Sequence, residues 1–163
     1  MTEMVISVGL GEVHVSKDPS VVLAAHGLGS CIGLLAYDPI HKIGGLAHIL
    51  LPDSTIIKVC DNKGKFADTA IPYLIELMKG QGAIQINLMI KIAGGAQMFA
   101  VPGMNSKMNI GEKNIIAVKR ALSQVNLKIK AEEVGGHTGR TVKLFVKDGT
   151  SLIRTAGLNE KVF

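Results

Sequence analysis

In "GLGSCIGLLAYDP", residues 27–39, a lone cysteine follows two glycines and a serine, and in "GLAHILLPDS", residues 45–54, a histidine stands inside an apolar run. A free thiol has a pKa of about 8.5, so at neutral pH Cys31 needs a base or a cation beside it before it can attack a carbonyl. His48 is the natural base. If segments 31–37 and 43–50 pair as a hairpin around Asp38 to Lys42, position 31 comes opposite positions near 48 or 49, within side-chain reach. His14, His26, His41 and His137 have no equally simple route, although His26 is close in sequence. The small residues before the thiol let a substrate carbonyl approach the backbone closely. The backbone at Gly29 and Ser30, with the N–H of Cys31, is then the candidate receiver of an oxyanion. On the residues alone a second reading stands beside this one, in which Cys31 is a small buried hydrophobe and His48 a hydrogen-bonded core residue.

Other chemistries fit less well. Gly27 and Gly29 suggest a phosphate loop, but that pattern needs a glycine where Ile32 stands and a helix where the sequence reads as strand, and no Gly-Lys-Ser/Thr ending follows. Two cysteines make no disulfide framework, and no Cys-x-x-Cys or Cys/His spacing suggests zinc, so neither metal nor cofactor is expected. The net charge of +5 would suit an acidic partner, yet the Lys and Arg residues are scattered and the chain has four Phe, two Tyr and no Trp. Nucleic-acid binding, which needs a clustered basic patch and stacking surfaces, is not expected. No apolar run approaches the roughly 20 residues that cross a bilayer. The N-terminus, with Glu3 and Glu12 and a regular alternation, does not read as a signal peptide. The expectation is a cytoplasmic protein with no direct membrane insertion.

The elements that must position the pair follow from periodicity. Residues 4–15 alternate as a strand with Val5, Val13 and Val15 on one face; 20–26, 31–37 and a run from Ile43 read as three more strands. Phe66, Ala70, Tyr73 and Leu77 recur at helical spacing, with Asp68 or Thr69 as N-cap and Pro72 in the first turn. Residues 86–93 return to strand, and a second amphipathic helix spans about Gly111 to Gln124, burying Ile115, Val118, Leu122 and Val125. The C-terminal third reads as strands with a hairpin turned at Asp148-Gly149. About eight strands and two helices predict an α+β fold, a single-domain layered sandwich over residues 1–163 of mostly antiparallel or mixed strands with two flanking helices.

The two motifs, together with "KGKFADTAIPYLIELM", "KIAGGAQMF" and "MNIGEKNIIAVKRAL", keep an order over roughly residues 4–140 that resembles the CheD family, the chemoreceptor glutamine deamidases of bacterial and archaeal chemotaxis. The resemblance implies an enzyme that converts selected receptor glutamines to glutamates and, in some members, hydrolyses receptor glutamyl methyl esters. It implies Cys31 as nucleophile and His48 as base. Its implied partners are the cytoplasmic domains of methyl-accepting chemoreceptors and a CheC-type phosphatase. Phe66, Asp68, Gly94, Gly95 and Phe99 fall in matching blocks and are candidates for a rim that accepts substrate or partner; helix packing, an N-cap and a tight turn are the alternative for the first four. The exposed-surface alternative for Met98, Met104 and Met108 is an adaptable contact, with core filling as the default. The family's third catalytic position, usually threonine, is Ala25 here, six residues ahead of Cys31. A hydroxyl there would orient the imidazole, so His26 or a backbone carbonyl must substitute, or the chain acts as a weak or inactive binding module working through the CheC phosphatase. An unrelated cysteine hydrolase of small amides is a third reading.

Only Cys31 has a candidate base nearby, so iodoacetamide is expected to label it faster than Cys60. Equal labelling, or faster labelling at Cys60, would count against the assignment.

Overall fold

The computed structural model describes residues 2–56, 61–98 and 109–163. Two five-stranded sheets pack face to face, and two helices cover the outer face of one of them. The first sheet runs in the order β1 (Met4–Ser7), β3 (Val21–Leu28), β8 (Arg140–Phe145), β9 (Ser151–Thr155) and β10 (Lys161–Val162). The second runs β2 (Val13–Ser16), β5 (Ile43–Ile49), β4 (Ile32–Asp38), β6 (Met89–Gly94) and β7 (Ile129–Val134). The helices α1 (Ala67–Gly80) and α2 (Ile110–Gln124) lie on the second sheet. The expected layered sandwich of mixed strands and two flanking helices is therefore what forms.

The period of two along a strand divides the core. On β4 and β5, Ile32, Leu34, Ala36, Ile43, Ala47 and Ile49 face the helices, meeting Ile71, Leu74 and Val118. The alternate positions Leu35, Tyr37 and Leu46 face the other sheet, meeting Leu23, Leu28 and Leu144. The central strands are buried on both faces, which is why they read as continuous apolar runs.

Three local expectations are corrected. Residues 4–15 are not one strand: the chain breaks at Gly9–Glu12, β1 pairs with β3 in the first sheet, and β2 crosses to pair with β5 in the second. The break is built by the Glu12 carboxylate, which accepts the Gly9 N–H at 3.2 Å, and by Gly11, whose φ of +73° suits glycine. Val5 accordingly lies exposed while Val13 and Val15 pack under the helices. At α1, the N-cap is Phe66 and the helix opens at Ala67, so Asp68 is inside the first turn and Pro72 sits beyond it. On α2 the buried stripe is Gly111, Asn114, Val118, Ala121 and Leu122, with Ile115 and Val125 half-buried at its margin.

The hairpin expected around Asp38 to Lys42 is present, with β4 and β5 antiparallel from Asp38↔Ile43 to Ile32↔Ile49. Asp38 closes it. One carboxylate oxygen accepts the N–H groups of Ile40 at 2.9 Å and His41 at 3.1 Å; the other accepts the Ile84 N–H and the His41 ring, each at 2.9 Å. Burial pushes this carboxyl up, but the N–H donors of Ile84, His41 and Ile40 and the His41 ring outweigh it, taking the pKa from 3.8 to about 2. Because the folded value lies below the unfolded one, the stabilisation is present above pH ~4 and is lost as pH falls through ~2. The shift corresponds to about 2 kcal/mol. Asp38→Asn is therefore expected to lower the urea midpoint at pH 5 and to lower it much less at pH 2. An equal loss at both pH values would show that the charge is not what holds the turn.

Candidate active site

Cys31 sits at the mouth of β4, where the link from β3 passes through Gly29 and Ser30. Three successive carbonyls are held there. Gly29 accepts from the Ala96 N–H at 2.8 Å, Ser30 from the Asn114 side-chain amide at 2.8 Å, and Cys31 from the Gly95 N–H at 2.9 Å. This close approach explains the paired glycines. A side chain at Gly94, where φ is +111°, would overlap the Cys31 carbonyl, and one at Gly111 would meet the carbonyl of Gly95. Among the described residues, none of the N–H groups of Gly29, Ser30 and Cys31 donates to another residue.

His48 arrives from β5. The ladder places it directly opposite Gly33, so Cys31 lies opposite Leu50, one to two positions beyond the expected partner, and His48 is its diagonal neighbour. Diagonal neighbours are roughly 7–8 Å apart at the backbone, within reach of long side chains. The parity decides more than the distance does. Positions 31, 33 and 48 share one face of the sheet, the face turned toward the first sheet.

The break between β1 and β2 grips His48 from several sides. Gly11 N–H donates to the His48 carbonyl at 2.9 Å, the His48 N–H donates to Glu12 at 3.0 Å, and the ring Nδ1 lies 2.9 Å from the carbonyl oxygen of Val8. A carbonyl only accepts, so Nδ1 carries the proton and Nε2 of the neutral ring is left with a lone pair. Nε2 is buried and has no hydrogen-bond partner among the described residues. Cys31 is 7% and His48 5% exposed. Burial pushes the Cys31 thiol up, with its own backbone N–H pulling weakly the other way. The pair thus combines a buried thiol with a ring whose Nδ1 is held and whose Nε2 has no partner among the described residues.

Ala25 is fully buried on β3, in the same cluster as Cys31. Of the two groups expected to orient the ring in place of a hydroxyl at position 25, a backbone carbonyl, that of Val8, meets Nδ1, and His26 is exposed. Of the rim candidates, Phe66 is 1% exposed and packs in the core as the first residue before α1. Asp68 is exposed, and its carboxylate accepts the N–H and hydroxyl of Ser54 at 2.9 and 2.6 Å, tying down the loop after β5. Gly94 and Gly95 brace Cys31 as described, and Met98, 45% exposed, has its side chain over Gly29. Phe99, Cys60, Met104 and Met108 lie outside the described residues. Sequence reading missed Val8 and Asn114. Val8 acts through its carbonyl and leaves no signal, but Asn114 is a polar residue on the buried stripe of an amphipathic helix, which is one. Among the described residues no group of three or more His, Cys, Asp or Glu is placed to hold a metal ion, and no helix is long and apolar enough to cross a membrane.

A thiol framed by glycines and an imidazole held at Nδ1 share one face of a sheet inside a two-sheet sandwich, and the class of protein they belong to is a hydrolase family. The comparisons make the class specific. The family model described as CheD chemotactic sensory transduction matches residues 50–155. A "Probable chemoreceptor glutamine deamidase CheD" of Caldanaerobacter subterraneus subsp. tengcongensis is 46% identical over 157 residues, covering 96% of each chain. Proteins of the same description from Clostridium novyi and Symbiobacterium thermophilum are 46% and 41% identical, each covering 94% of both chains. The chain belongs to the CheD family. Among solved structures, the hypothetical protein YfiH of Bacillus licheniformis matches at a TM-score of 0.45 and 11% identity over 81% of this chain and 59% of that one.

Because burial raises the pKa of the Cys31 thiol, a preference of iodoacetamide for Cys31 requires a proton acceptor, and His48 is the candidate. His48→Gln is expected to slow labelling of Cys31 at pH 7 by at least tenfold while leaving Cys60 unchanged. Unchanged labelling at Cys31 would mean that the imidazole does not serve it.

Proposed function

We propose that this protein deamidates selected glutamines in the cytoplasmic domains of chemoreceptors, with Cys31 as nucleophile and His48 as general acid and base. The observation that carries the reading is the unpartnered Nε2 of His48 on the same sheet face as Cys31, in a chain whose relatives are described as chemoreceptor glutamine deamidases. On substrate binding, Cys31 passes its proton to Nε2 and the sulfur attacks the side-chain carbonyl carbon of glutamine. The oxyanion is received by the N–H groups around Gly29, Ser30 and Cys31, which have no other described acceptor. The imidazolium then protonates the departing nitrogen, since an amide anion cannot leave at neutral pH, and ammonia is released from the thioester. Water, giving its proton to Nε2, adds to the thioester carbonyl; collapse returns the thiol and leaves glutamate. The net change is glutamine plus water to glutamate plus ammonia. A glutamyl methyl ester fits the same sequence with methanol leaving.

The Val8 carbonyl supports activity over the binding-module alternative, whose motive was Ala25. The ring is held from the Nδ1 side without a threonine. Action on receptor cytoplasmic domains places the protein in the cytoplasm, and a CheC-type phosphatase is the second proposed partner.

The test is mass spectrometry of a receptor cytoplasmic fragment after incubation, each deamidation adding about one mass unit. Wild type is expected to produce it and Cys31→Ala to abolish it; a Cys31→Ala protein as active as wild type would end the reading. Ala25→Thr is expected to stay within about threefold of wild-type turnover, because a further hydrogen bond to a ring already held adds little and the site is fully buried.

A further inference from the structure

Asn114 has no role in the mechanism above, yet it is 0% exposed and touches both halves of the site. Its side-chain Nδ2 donates to the Ser30 carbonyl at 2.8 Å and to the Leu50 carbonyl at 3.0 Å. Ser30 precedes the nucleophile and Leu50 follows the base by two residues. The β4–β5 ladder ends at Ile32↔Ile49; one step further, where Cys31 faces Leu50, the Leu50 N–H turns away to Lys65 at 3.0 Å. That step has the non-hydrogen-bonded parity of the ladder, as at His48, whose N–H and C=O both face Glu12 and Gly11, and the amide of Asn114 links the two strands there. One nitrogen bonded to both oxygens holds them within about 6 Å of each other, which follows from two bonds of ordinary length.

The bridge also acts on a single peptide group. The Ser30 carbonyl and the Cys31 N–H belong to the same trans peptide and point in opposite directions. Drawing the carbonyl toward α2 therefore aims the Cys31 N–H away from the helix layer, toward the face that carries the thiol and the imidazole. The carbonyl oxygen of Asn114 is itself buried with no partner among the described residues. The amide is thus oriented by its two donors alone.

We infer that Asn114 is a positioning residue for the Cys31–His48 reaction: it sets the spacing between the nucleophile's loop and the base's strand and aims the Cys31 N–H at the developing oxyanion. This rests on the proposed Cys–His reading, and the experiment separates the two. Cys31 alkylation by iodoacetamide is followed against pH in wild type, His48→Gln, Asn114→Ala and Val118→Ala, alongside kcat and KM on the receptor fragment and thermal melting. Val118 is buried one turn along α2 and bonds to neither strand, so it matches a packing loss in the same helix. Asn114→Ala is expected to lose at least tenfold in the His48-dependent alkylation and in kcat, with KM within about twofold, since displacement of reacting groups acts on the transition state. Val118→Ala is expected to melt earlier and to keep both rates near wild type. The inference is overturned if Asn114→Ala reacts like wild type, or if both helix variants lose reactivity in proportion to their melting temperatures. If His48→Gln alkylates like wild type, the Cys–His pairing itself has failed and the inference falls with it. Should Asn114→Ala not fold, Asn114→Gln keeps both donors but displaces them by one methylene; reduced kcat at unchanged melting supports the inference, and wild-type kcat overturns it.

Discussion

The register of one hairpin carries the site. With Gly33 opposite His48, the thiol and the imidazole share the face of the sheet that looks into the sandwich. A slip of one residue would send His48 into the layer beneath the helices, among Ile71 and Leu74, and leave Cys31 alone. The register is pinned where the turn is made, by Asp38 and its four hydrogen bonds, and by the apolar alternation of both strands, which would be inverted by any slip. At the open end the ladder has already stopped, and a helix side chain spans the remaining step.

Placing the pair in a buried layer has a cost and a use. A buried imidazole nitrogen without a partner is unfavourable by about 1–3 kcal/mol, and a thiol in the same layer resists ionisation. Burial holds the thiol in its protonated form and leaves Nε2 without a partner among the described residues. In the proposed reaction, a polar substrate amide entering the layer would supply the hydrogen bonds that are missing, coupling proton transfer from Cys31 to His48 to occupancy. Other polar groups around the pair are held firmly. The turn at Gly9–Glu12 holds the His48 backbone on both sides, the Val8 carbonyl just before it meets the ring at Nδ1, and the carbonyls of Gly29, Ser30 and Cys31 each have a donor.

The departure at Ala25 becomes intelligible in the same terms. What a base on an apolar strand needs is a fixed tautomer, and any acceptor that reaches Nδ1 provides one. A main-chain carbonyl does this without a side chain, at a point where the chain is already bent by Gly11 and Glu12 to change sheets. The crossing of the N-terminal segment from one sheet to the other is therefore part of the site and not only of the fold.

Much of this was legible in the amino-acid order. The hairpin, both helices, the Asp148-Gly149 turn and the candidate pair follow from periodicity, turn residues and the chemistry of a thiol beside glycines, because each depends on neighbours close in the chain. The CheD resemblance was carried by the same local blocks. The split of residues 4–15 into two sheets was not legible, since alternation continues across the bend and only the glycine conformation and the pairing partners reveal it. Nor was the role of Val8, because a main-chain oxygen is the same in every residue. Asn114 left a trace as a polar side chain on an apolar stripe, but its two acceptors lie far off in sequence, at Ser30 and Leu50. Sequence by itself determined which groups could react, since that is a property of side-chain chemistry. Only the tertiary structure decided which face they share, which nitrogen of His48 is free and what holds the two strands together at Cys31, because those depend on strand parity and on backbone groups that carry no sequence signature.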